Sequence, residues 1–156
     1  MSEQNEMKAL LKRLEKNGVP LTDDIKEAML EIEVEYFTDF ETTDYFADRP
    51  ITFLQNDNGA VKTISAPHMI ATLLYHLELQ KGNDVVIIGC KSGYVAALIA
   101  MIVGEDGTVK IIDPSQSAIQ HAKSRLTHWP TIEVRHIESL QISPIAFPGE
   151  LNRVLV

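Results

Sequence analysis

From Asp84 onward, short runs of branched apolar residues alternate with helix-length segments, and few architectures accept that pattern. The run DVVII is followed by the turn GCKSG and the helical stretch YVAALIAMIV. TVKII, the helical stretch SQSAIQHAKSRL, TIEVRHI and finally NRVLV come next. DVVII is continuously apolar, as strands buried on both faces of a sheet are. Strand–helix–strand alternation with short connections predicts an α/β fold, a right-handed, doubly wound parallel sheet. Its fourth strand stops at Val156 with an apolar edge left open. Such an edge predicts either a piece of a longer polypeptide, with C-terminal strands missing, or a homo-oligomer formed through that edge.

The residues ahead of this core read as a helical appendage. Met7, Leu10, Leu11 and Leu14 fall at helical spacing, and Asn17–Gly18 supplies a stop. LTDDIKEAMLEIEVEYF reads as a second helix, capped by Thr22 or Asp23, with Ile25, Ala28, Met29 and Ile32 as its apolar stripe. In ITFLQNDNGAVKTIS, two β-prone runs flank Asn58–Gly59, which suits a type I′ hairpin turn. A helix follows from about Ser65 to Leu79. Residues 1–62 are thus expected to form the helical region and hairpin, and residues 63–156 the core, together making one structural domain. GVPL and SPIAFPG read as loops, and the acidic run EIEVEYFTDFETTD as a solvated helix face and loop.

Composition narrows the function classes. A net charge of −8 argues against non-specific binding to nucleic acid or to an anionic membrane. The longest apolar run is far shorter than a membrane span, and the charged N-terminus does not read as a signal peptide. Cys90 is the one cysteine, so no intrachain disulfide can form, and the expected setting is soluble and cytoplasmic. His68, His76, His121, His128 and His136 show no metal-ligand spacing, so no metal site is expected.

Ligands of doubly wound sheets bind outside the carboxyl ends of the strands. The first such end is IIGCKSGY, where Gly89 and Gly93 allow a sharp turn and the next helix starts at Ser92 or Gly93. Glycine spacing alone is equally explained by a tight turn. Asp113 ends the second strand 20 residues after Gly93, where an acid can hold the two hydroxyls of a ribose. Glu138, after the third strand, is either an acceptor for an adenine amino group or a solvated loop acid. TISAPHM holds a second seam. Ser65 suits a helix N-cap and Pro67 a first helical turn, which leaves Ile64 and His68 unexplained.

TISAPHM together with LELQKGNDVVIIGCKSGYVAALIAMIVGEDGTVKIID resembles the protein-L-isoaspartate O-methyltransferases, and DYFADRPI resembles the segment ahead of their TIS motif. The resemblance implies a Rossmann-like sheet of the class I methyltransferase type and S-adenosylmethionine as cofactor. It also implies methyl transfer to the α-carboxylate of isoaspartyl residues in damaged proteins. By the same resemblance Ser65 orients the substrate carboxylate. Ile64, His68, Gly89, Ser92, Gly93, Asp113 and Glu138 then lie at the cofactor. The chain departs from the family at Ile87, where an acid is usual, and at Lys91, in place of the middle glycine. The glycines beside Glu138 are replaced by Ile137 and Ser139. The alternative is a non-catalytic relative serving as a protein-interaction module.

Overall fold

All four strands expected from Asp84 onward form and pair in parallel. In the computed structural model, residues 2–138 and 151–156 are described. Ser139 and the expected loop SPIAFPG lie outside the described residues. The chain divides into two compact units, Met1–Glu78 and Leu79–Val156.

The second unit is a sheet of β3 (Asp84–Ile88), β4 (Thr108–Asp113), β5 (Ile132–His136) and β6 (Arg153–Leu155), in the order β5-β4-β3-β6. The order reverses at β3, which places the switch point of a doubly wound sheet beside its carboxyl end. Val85, Ile87, Val109, Ile111 and Ile132 share one face and are all buried. The other face carries a small core of Val86, Ile112 and Ile137, with Lys110 nearly buried and 3.4 Å from the Glu133 carboxylate. Asn152 fastens β6 to β3, its N–H donating to the Asp84 carbonyl and its Oδ1 accepting the Asp84 N–H.

Helices α5 (Tyr94–Val103) and α6 (Gln116–Arg125) pack on β4 and β5. α5 is apolar nearly all round, as a buried helix must be, and ends where Gly104 takes φ +73°. α6 starts at Ser115, whose side chain accepts the Ala118 N–H, and ends with Lys123 and Arg125 on its negative pole.

The first unit holds α1 (Glu3–Lys16), α2 (Asp23–Glu31), α3 (Thr43–Phe46), the hairpin β1 (Ile51–Gln55) and β2 (Val61–Ile64), and α4 (Pro67–His76). α1 buries Met7, Leu10, Leu11 and Leu14. It closes in a Schellman motif, with Gly18 left-handed and the Val19 N–H donating to the Leu14 carbonyl. Thr22 caps α2 through the Ile25 N–H.

Three expectations need correction. The second helix does not run through Phe37. Ile32 turns to extended backbone, Val34–Phe37 forms a 3-10 turn, and the Val34 N–H is taken by the Glu3 carboxylate at 2.8 Å. The hairpin turn is not type I′, because only Gly59 has positive φ. Asp57, Asn58 and Gly59 make a three-residue loop closed by the Asn56 N–H and Ala60 carbonyl. Lastly, α4 begins at Pro67 with Ala66 at the N-cap and stops at His76, where Glu78 adopts φ +50°. Ser65 is not its cap. Among the described residues, no helix is long and apolar enough to cross a membrane.

Glu3 carries a measurable consequence. Its oxygens lie within 4.8 Å of those of Glu33 and Glu35. Burial pushes its carboxyl up to about 7 from the usual 4.5, the Val34 N–H works against that, and the charges of Glu35 and Glu33 add to it. Because the folded value exceeds the unfolded one, this group stabilises the fold fully below about pH 4.5. The contribution disappears as pH rises through about 7. Glu3→Gln should remove that dependence. It should make the chain more stable than the parent at pH 8 by on the order of 1 kcal/mol, after screening of a half-exposed group. Equal denaturation midpoints of parent and variant at pH 8 would contradict this.

Candidate functional site

The turn after β3 is shaped by backbone that side chains resist. Gly89 has φ +103° and Gly93 φ +91°. At Gly93 a Cβ would also stand 3.2 Å from Leu126 Cγ, so that side chain would have to give way, on top of the conformational preference for glycine. At Gly89 nothing among the described residues lies within 4 Å of where a Cβ would be, and its backbone conformation favours glycine. That open space is where a ligand can approach the backbone. Lys91, between them, is exposed and holds φ +49°, so a residue other than glycine carries the left-handed geometry here. For a lysine that conformation costs about 1 kcal/mol or more. Lys91→Gly should therefore raise stability by up to about 1 kcal/mol in a urea titration, less the extra chain entropy that glycine introduces. A stability loss would mean that the lysine side chain makes compensating contacts.

Asp113 ties this turn to the end of β4. Its Oδ2 accepts the Cys90 N–H at 2.8 Å and its Oδ1 the Ser115 N–H at 2.8 Å. The first bond clamps the glycine turn and the second opens α6. Each oxygen keeps a lone pair, enough to accept from a vicinal diol. The Ile137 N–H donates to the Asp113 carbonyl, bringing the end of β5 alongside. Glu138 follows with an exposed side chain. Ser92 is buried, and its hydroxyl accepts the Tyr94 N–H, so the side chain serves the helix start. Ile87 belongs to the apolar sheet face at 5% exposure, paired with Ile111.

The other predicted residues lie in the first unit. Ile64 closes the hairpin opposite Ile51 and is buried. Ser65 is exposed, one residue outside the helix cap. His68 sits in the first turn of α4, half-buried, with Nδ1 3.0 Å from both oxygens of Asp48. Asp48 also accepts the His68 backbone N–H at 2.9 Å. Sequence reasoning missed Asp48. It occupies the left-handed position, φ +60°, of a Schellman motif closing α3, in which the Arg49 N–H donates to Asp44 and the Asp48 N–H to Tyr45. Aspartate tolerates that conformation better than most residues, and the motif turns its carboxylate toward α4.

Residues 4–140 match the family model described as "Protein-L-isoaspartate(D-aspartate) O-methyltransferase (PCMT)". The chain belongs to this family. A protein-L-isoaspartate O-methyltransferase of Ignicoccus hospitalis is 34% identical over 118 residues, covering 75% of this chain and 54% of the relative. The Methanococcus aeolicus protein of the same name is 35% identical over 121 residues, covering 77% and 54%. The chain thus spans about half the length of the curated relatives it matches. A solved protein-L-isoaspartate O-methyltransferase superposes with a TM-score of 0.74 at 26% identity, over 88% of this chain and 45% of that one. A Plasmodium falciparum structure, titled a putative methyltransferase of this kind in complex with S-adenosyl-L-homocysteine, gives a TM-score of 0.70 at 20% identity. It covers 88% of this chain and 66% of that one, and it speaks for the fold alone. The class I methyltransferase architecture expected from the sequence is the one observed.

Proposed function

We propose that this chain binds S-adenosylmethionine at the glycine turn and methylates the α-carboxylate of isoaspartyl residues in proteins and peptides. The observation that carries the reading is the Asp113 clamp. A carboxylate with a spare lone pair on each oxygen sits at the switch point, fastened to a turn whose Gly89 has, among the described residues, open space above the backbone. Those residues fit a nucleoside. Asp113 would take the ribose hydroxyls and Glu138 the adenine amino group, while Gly89 and Gly93 keep the backbone low. Ser92 supports the turn from within, and Ile64 and His68 are assigned to the cofactor by the family resemblance alone.

When bound, S-adenosylmethionine supplies an electrophilic methyl group. The acceptor carboxylate is already ionised near neutral pH, so no general base is required of the chain. What remains is orientation, which can be worth many powers of ten when two reactants are held in line. An exposed Ser65 hydroxyl, released from capping duty, can donate to the carboxylate and fix its approach. The lone Cys90 and the absence of disulfide chemistry suit a reducing compartment, in keeping with a cytoplasmic repair enzyme.

Lys91 favours a second reading, in which the fold serves a protein partner and cofactor binding is lost. Incubating the chain with methyl-labelled S-adenosylmethionine and an isoaspartyl peptide tests both. Base-labile label on the peptide, absent with the aspartyl control peptide, is the expected result. No transfer to the isoaspartyl peptide from a chain that still binds S-adenosylhomocysteine would overturn the catalytic half.

A further inference from the structure

The 3-10 turn Val34–Phe37 divides its residues between core and solvent. Positions three apart eclipse in such a turn, so Val34 and Phe37 share the inward face and are fully buried, while Glu35 and Tyr36 are left outside. Thr38 then pins the chain that follows. Its hydroxyl donates to the Thr52 carbonyl at 2.7 Å and accepts the Phe40 N–H at 3.0 Å. Glu41 takes up the start of α3, one carboxylate oxygen accepting the Thr43 hydroxyl and the N–H groups of Thr42 and Thr43. The Thr43 hydroxyl, and after it the two N–H groups, hold its carboxyl below the usual carboxylate range.

This pinned segment nevertheless keeps Tyr36 51% and Phe40 42% exposed. The two rings line one shallow hollow of about 490 Å³, open to solvent, together with Glu35, Asp39 and Glu41. No basic residue is among those that line it. Between Lys26 and Arg49 the sequence holds eight acids and no base, as many charges as the net −8 of the whole chain. A merely solvated acidic loop has no use for two exposed rings on backbone held in place. Rings in a hollow with a polar border are what a recognition surface presents.

We propose that this hollow docks a basic, arginine-bearing peptide segment of a protein partner, its guanidinium laid on the rings of Tyr36 and Phe40 and its charge answered by Glu35, Asp39 and Glu41. Charge complementarity selects a cationic occupant. The rings select arginine over lysine, because a planar and weakly hydrated guanidinium stacks on an aromatic face where an ammonium keeps its water. The surface lies wholly within the first unit, and the inference does not rest on the proposed methyl transfer.

The experiment is fluorescence anisotropy of a labelled heptapeptide alternating glycine and arginine, titrated with the full chain at low and at physiological salt. Lysine and glutamate counterparts of the peptide run beside it. The arginine peptide should bind, more weakly as salt rises. The lysine peptide should bind several-fold less tightly, and the glutamate peptide not at all. Phe40→Leu keeps apolar bulk but removes the ring, and it should weaken the arginine peptide about fivefold at an unchanged thermal midpoint. Glu35→Gln combined with Asp39→Asn should weaken it by a similar factor and flatten the salt dependence. Equal affinity of parent and Phe40→Leu, with lysine and arginine peptides bound alike, would mean diffuse attraction to an acidic surface and would overturn the hollow as the site. A glutamate peptide bound as tightly as the arginine one would overturn the charge argument. A dimer of the chain that Phe40→Leu breaks up would give the face to a second copy and overturn the peptide assignment. No binding of the arginine peptide at millimolar protein would overturn the proposal outright.

Discussion

Ser65→Ala is expected to slow methyl transfer to an isoaspartyl peptide about 100-fold, with the affinity for S-adenosylhomocysteine and the denaturation midpoint both nearly unchanged. A serine before a helix usually earns its place as the cap, and its loss would then cost about 1 kcal/mol. Here that explanation fails. Ala66 holds the N-cap position, Pro67 needs no partner at N1, and Asp48 accepts the N–H of His68. Ser65 is exposed, and its side chain does not cap α4. Its contribution should therefore appear in turnover and not in stability. A loss of stability with turnover intact would place Ser65 in the scaffold and remove it from the chemistry.

Ile87→Asp should damage the sheet severely, costing on the order of 4 kcal/mol in urea unfolding at pH 7. Ile87 is 5% exposed, paired with the fully buried Ile111, and shares its face with Val85, Val109 and Ile132. An aspartate there would lose the packing of a branched side chain and strand a carboxylate among aliphatic neighbours. Ile87→Leu should cost less than about 1.5 kcal/mol by comparison. The acid that the resemblance leads one to expect at this position is thus not a vacancy waiting to be refilled. In this chain the turn is organised from β4, by Asp113 through the Cys90 N–H. A near-neutral Ile87→Asp would reveal a polar partner within reach and would revive the case for restoring the acid.

The two units differ in how much of them could be read from residues alone. The strands of the second unit were legible because β3 and β4 are unbroken branched runs, and because Gly89, Gly93 and Gly104 all mark real changes of backbone direction. Asp113 was legible by its place at a strand end. Its bond to the Cys90 N–H was not, because a carboxylate 23 residues away leaves no local pattern. In the first unit local rules misled. Ile32 continues a helical stripe, yet the chain leaves the helix there, and the Val34 N–H finds its acceptor in Glu3, 31 residues earlier. Asn58–Gly59 invites a two-residue turn, and one added residue of loop lets Asn58 keep ordinary backbone. Asp48 was hidden most completely. The left-handed position of a Schellman motif is normally glycine's, so nothing in ADRP announces a carboxylate that serves another helix.

Calorimetric titration of the chain with S-adenosylhomocysteine tests the central claim, that a glycine turn held by Asp113 still takes the nucleoside despite Lys91. The account predicts a dissociation constant in the micromolar range, tightened in Lys91→Gly. No heat of binding at millimolar ligand, from the parent and from Lys91→Gly alike, would contradict it.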